Sequence, residues 1–156
     1  MATSMAYGMK CGFFGGDVLK LIDDIRVLKP TFFPSVPRLF NRIYGKITDG
    51  MKQATGVKKW LVDKAVTAKL YYLRNGEGLI HKFYDAVVFS KMKAMLGGNV
   101  RLMITGSAPL AGEVQDFIKV CFCAPMIEGY GLTETSGGAT LTDIDDVISG
   151  TVGGPI

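Results

Sequence analysis

The residues best equipped for chemistry run from Glu128 to Thr135, in the order Glu-Gly-Tyr-Gly-Leu-Thr-Glu-Thr. Glycines let a backbone come close to a ligand. Threonine hydroxyls bond phosphate oxygens, and a carboxylate holds Mg2+, a hard ion that prefers oxygen ligands. Tyr130 adds an aromatic ring beside Gly129 and Gly131, with Thr133 and Glu134 just beyond. The chemistry implied is a nucleotide with magnesium. A second glycine turn, Thr105-Gly106-Ser107-Ala108-Pro109, lies upstream.

The elements around these turns place them together. Val100 to Thr105 reads as a strand, Glu113 to Val120 as a short helix, and Ala124 to Ile127 as a second strand. Strand, turn, helix and strand make a βαβ unit and favour a parallel sheet. Ligands of open α/β sheets bind beyond the carboxyl ends of the strands, where both glycine turns fall. Upstream the texture is helical. Asp17 is placed to cap a helix from Val18 to Leu28, ended by Pro30. Thr31-Phe32-Phe33 reads as a buried strand broken by Pro34 and Pro37, and Pro37 opens a helix carrying Leu39, Phe40, Ile43, Ile47 and Met51. A third helix follows Gly56 with Val57, Trp60, Leu61, Ala68, Tyr71 and Tyr72 as its expected core stripe, ending at Asn75-Gly76. A fourth, over Ile80, Phe83, Tyr84, Val87, Val88, Met92 and Met95, has the clearest 3.6-residue period and stops at Gly97-Gly98.

Composition narrows the functional classes. The 156 residues are 48% hydrophobic and 21% charged, without low-complexity tracts, compatible with one globular domain. A net charge of +4 permits anionic ligands but does not argue for nucleic acid. Cys11, Cys121 and Cys123 lack metal-type spacing and read as reduced, buried thiols of an intracellular protein. No apolar run approaches the ~20 residues of a membrane-spanning helix, and Met1 to Gly16 lacks the parts of a signal peptide. No Gly-x-x-x-x-Gly-Lys-Ser/Thr loop occurs. Ser107 lies outside a Gly-x-Ser-x-Gly elbow, so it reads as a helix cap rather than a nucleophile. His81 reads as a capping or surface residue, and Lys52 to Lys69 as a solvated face interrupted by Asp63. Asp143, Asp145 and Asp146 read as an acidic surface turn. Both termini look cut, with Gly153-Gly154-Pro155-Ile156 a turn that leads nowhere, so an internal fragment is expected.

Four stretches carry a family resemblance. Pro34 to Tyr44 resembles the "vPRlfnriY" segment of long-chain fatty acyl-CoA synthetases, a branch of the adenylate-forming, AMP-binding enzymes. Leu96 to Pro109 is similar to their "lGGrvrlmvtGsAP", Glu128 to Thr135 to "eGYGlTEt", and Gly150 to Pro155 to "GhvGxP". Order and spacing agree over nearly the whole chain. The resemblance implies an α/β fold: part of the large N-terminal domain, helical over its first two-thirds, then a βαβ unit of a parallel sheet. Residues 1–156 would be a partial AMP-binding domain, with the phosphate loop upstream and the small C-terminal domain downstream.

The implied reaction activates a long-chain fatty acid with ATP to an acyl-adenylate and passes the acyl group to CoA. The resemblance gives Glu134 to Mg2+ and Thr133 to phosphate. Gly129, Tyr130 and Gly131 would wall the adenine, and Gly106, Ser107 and Ala108 would line the adenine and acyl side. Phe40 would border the fatty-acid tunnel. Membrane association, at endoplasmic reticulum, mitochondrion or peroxisome, would come through parts outside this chain. A ligase for aromatic or amino acids and a non-catalytic nucleotide- or acyl-binding module are the alternatives.

Overall fold

A computed structural model describes residues 6–13, 15–17 and 20–156. Its centre is a five-stranded sheet in the order β1-β2-β3-β4-β5. Strands β1 (Phe32–Ser35), β2 (Leu102–Gly106) and β3 (Met126–Tyr130) run parallel. The short β4 (Thr140–Leu141) and β5 (Gly154–Pro155) continue the sheet antiparallel. The expected βαβ unit is β2, α6 (Gly112–Phe122) and β3. The sheet is nonetheless mixed. Gly154-Pro155, expected as a turn leading nowhere, is the edge strand β5. Pro34 lies within β1 instead of ending it, as edge strands allow because their outer N–H has no ladder partner.

Helix α1 (Leu21–Leu28) has Lys20 at its N-cap, not Asp17. Asp17 instead accepts the Lys20 N–H through its backbone carbonyl at 3.2 Å; Val18 and Leu19 lie outside the described residues. Helix α2 (Pro37–Gln53) follows expectation, with Pro37 in its first turn and Leu39, Phe40, Ile43 and Ile47 buried. Phe40 is wholly buried and meets Phe33 edge to face, ring centroids 5.9 Å apart.

Helix α3 (Gly56–Arg74) corrects the reading of its stripe. Its buried residues are Ala65, Val66, Lys69 and Leu73, whereas Trp60 and Tyr71 are 59% and 63% exposed. The helix is apolar on several sides, and its core stripe contains a lysine, so periodicity alone pointed to the wrong face. The expected fourth helix is three pieces: α4 (Lys82–Tyr84), a π turn over Asp85–Phe89, and α5 (Ser90–Met95). A π turn is wider than an α turn, and the i, i+4 pattern slips across it. Ile80, Phe83 and Val87 are exposed, while Val88 and Phe89 are buried.

One interior accompanies this break. Lys69 Nζ, 1% exposed in its side chain, contacts Asp85 Oδ1 at 2.6 Å and Cys123 Sγ at 3.1 Å, and lies 4.5 Å from the Phe89 ring centre. The His81 N–H donates to Asp85 Oδ2 at 2.9 Å. Burial raises the Asp85 carboxyl, but the hydrogen bonds and charge of Lys69 outweigh it and hold the group below its ordinary value. Burial pushes both the Cys121 and Cys123 thiols up. Cys11 is exposed, contrary to expectation. His81 caps α4 as expected, its Nδ1 accepting from the Tyr84 N–H at 3.4 Å.

The helices cover one face of the sheet. Phe33, Met103 and Met126 are in register on that face and join the core. Side chains alternate along a strand, so Pro34, Ile104 and Ile127 share the opposite face with Phe32, which is 47% exposed.

Candidate functional site

Strand register brings the two glycine turns together. Gly106 pairs with Gly129 at the carboxyl ends of β2 and β3. A Cβ on Gly106 would lie 2.9 Å from the Gly129 carbonyl oxygen, so the close approach requires glycine. The second motif starts inside the sheet: Gly129 and Tyr130 are the last residues of β3. Tyr130 is about half exposed, and Ser107, Ala108 and Pro109 are exposed.

Ser107 adopts φ 70°, the left-handed region that costs an L residue of order 1–3 kcal/mol. It does not cap α6, whose N-cap is Ala111 without a side-chain bond.

Beyond Tyr130 the chain folds into a loop that returns as β4. Gly131 packs so closely against Gly137 that a Cβ would collide with the Gly137 carbonyl. Thr133–Thr135 forms a 3-10 turn. Thr135 closes it: the Leu132 N–H donates to Thr135 Oγ1 at 2.8 Å, and that hydroxyl donates to the Leu132 carbonyl at 2.9 Å. Thr133 and Glu134 are exposed on the turn, and their side chains make no hydrogen bond or ion pair among the described residues. The structure thus brings Gly106, Ser107, Ala108, Gly129, Tyr130 and Gly131 to one edge and carries Thr133 and Glu134 on the adjoining loop. Three residues without an expected role support them: Thr135, Glu128 and Thr142. Their partners are set by strand pairing and loop closure.

A family model described as "AMP-binding enzyme" matches residues 1–156. The chain belongs to the AMP-binding enzyme family. Long chain acyl-CoA synthetase 7, peroxisomal, of Arabidopsis thaliana is 47% identical over 95% of the chain, which spans 21% of that protein. Long-chain-fatty-acid–CoA ligase 1 of Homo sapiens is 41% identical over 97% of the chain, which spans 22% of it. The chain thus spans about a fifth of the length of these relatives. Among solved structures, the anthranilate CoA ligase AuaEII in complex with anthranoyl-AMP aligns over 95% of this chain and 21% of its own, at 18% identity and a TM-score of 0.53. That likeness establishes the α/β fold of an AMP-binding enzyme.

The chemistry of the loop after β3 is compatible with a magnesium ion that also has substrate ligands. Mg2+ is usually held by one or two carboxylates plus substrate phosphates and water. Glu134 is such a carboxylate, exposed and unengaged. Among the described residues no group of three or more His, Cys, Asp or Glu side chains is placed to hold a metal without a substrate. Phe40, buried against Phe33, sits in the core rather than at an open surface.

Proposed function

We propose that this chain is a segment of the large AMP-binding domain of a long-chain fatty acid–CoA ligase. The observation carrying the reading is the in-register meeting of Gly106 and Gly129, with the unengaged Thr133 and Glu134 on the loop that follows. The identity to long-chain ligases supports the substrate class.

In this reading Gly129, Tyr130 and Gly131 wall the adenine, and the Gly106–Ala108 turn lines its other side. Thr133 donates its hydroxyl to a phosphate oxygen. Glu134 accepts a magnesium ion, which when bound neutralises charge on the phosphoryl oxygens. The fatty carboxylate then displaces pyrophosphate at the α-phosphate, and the CoA thiol displaces AMP. The phosphate loop, the small domain and any membrane attachment belong to segments outside this chain. The parent acts inside the cell, in association with a membrane; the peroxisomal names of two plant relatives support the intracellular part of this location.

The test is ATP- and Mg2+-dependent formation of palmitoyl-CoA by the parent enzyme, wild type against Glu134→Ala. We expect activity in wild type and a loss of at least about a hundredfold in the folded variant. A wild type that ignores palmitate but activates an aromatic or amino acid would remove the substrate class and keep the family.

A further inference from the structure

Glu128 sits where a carboxylate is costly. It belongs to the core face of β3, is 3% exposed, and has no cationic partner among the described residues. Burial pushes its carboxyl up, an effect the Leu110 N–H partly offsets. Buried carboxylates are ordinarily paired. Here Oε1 accepts the Leu110 N–H at 3.2 Å, and Oε2 is buried without a partner. An apolar side chain would fill this position without stranding an oxygen. Rules broken inside a core mark functional sites more often than errors of folding.

The backbone of the same residue is clamped to Thr142, the residue after β4. The Glu128 N–H donates to Thr142 Oγ1 at 2.8 Å, and the Thr142 N–H donates to the Glu128 carbonyl at 3.0 Å. One residue therefore ties β3 to the segment after β4 and to the turn after β2. That turn runs from Gly106 through the left-handed Ser107 to Leu110. The Leu110–Glu128 bond is its one side-chain hydrogen bond among the described residues.

We infer that Glu128 is a positioning residue for the nucleotide: through the Leu110 N–H it holds the Gly106–Leu110 turn against Gly129 and Tyr130 and sets the width of the crevice. The inference rests on the nucleotide reading above.

The experiment measures ATP binding to the parent enzyme by calorimetry for wild type, Glu128→Leu and Glu128→Gln. The leucine variant cannot accept the Leu110 N–H and should raise the Kd about tenfold. The glutamine variant keeps an acceptor oxygen and should stay within about twofold. A loss of structure alone would lower the fraction of molecules that bind and leave the Kd of the rest unchanged. A wild-type Kd in Glu128→Leu, or an equal loss in Glu128→Gln, overturns the proposal. Palmitoyl-CoA formation by wild type checks the ligase reading separately. If wild type does not bind ATP, that reading falls, and the tie is decided by deuterium uptake at the Leu110 amide. Uptake faster in the leucine than in the glutamine variant supports it, and equal uptake ends it.

Discussion

Gly131 has no room for a side chain. Its missing Cβ would collide with the Gly137 carbonyl and lie 2.9 Å from Gly138 Cα, and backbone atoms cannot rotate away as a side-chain tip can. Gly131→Ala should therefore displace the Thr133–Thr135 turn and the Glu134 carboxylate. Displacements of about 1 Å cost on the order of a hundredfold in rate. We expect that loss in adenylate formation, read as pyrophosphate release, together with a lowered Tm from the displaced backbone. A variant with wild-type rate would show that the loop adapts. At this scale the candidate residues were legible in the sequence, though not all of their contacts. Gly129 to Glu134 are neighbours in the chain, so their residue types could be read together as candidate nucleotide and magnesium contacts. The Glu128–Leu110 bond was not, because it joins positions that meet only when β2 and β3 pair. Nor was the strain at Ser107, since a serine in the left-handed region looks like any other serine in a sequence.

The helices show where periodicity decides and where it does not. In α2 the apolar positions form one stripe, and the expected core residues are buried except Met51, near the C-terminal end, which is half-buried. In α3 the buried face includes Lys69, whose charge hides it from a hydrophobic pattern. Its partner is Asp85, at the start of the π turn. Removing one member of a buried ion pair costs about 3–5 kcal/mol, because the other charge is stranded. Asp85→Asn should lower the stability of the parent enzyme by about 3 kcal/mol at neutral pH, seen in denaturant unfolding. The sign with pH follows from the lowered Asp85 pKa. The pair's contribution is complete above the ordinary aspartate range near ~3.9 and disappears as pH falls through the folded value. Wild type should lose its advantage over the variant in that acid window; an advantage independent of pH would contradict the assignment. In α2, Gly50 has nothing within 4 Å of the position a Cβ would take. Gly50→Ala should stabilise the helix by about 0.5–1 kcal/mol, raising the Tm without affecting activity.

The molecule as a whole presents a mixed sheet whose parallel strands β1 and β2 are covered by the core on one face only. Parallel strands are ordinarily buried on both faces, yet Phe32, Pro34 and Ile104 share a face outside the core cluster. In the proposed ligase the remaining segments cover that face. The purified 156 residues should therefore self-associate in sedimentation and bind an apolar dye, and should form no palmitoyl-CoA. A monomeric, dye-silent chain, or any turnover by it, would refute this. The β2–α6–β3 unit was legible because its three pieces are consecutive. β4 and β5, two residues each, carry no period and exist only through their pairing. The same topology sets a schedule during synthesis. Phe32 and Phe33 pair with Leu102 and Met103, far downstream. A ribosome adding about 5–20 residues per second leaves β1 without its neighbour for several seconds. In that interval two adjacent phenylalanines stand free on the nascent chain, an inviting target for a holdase chaperone.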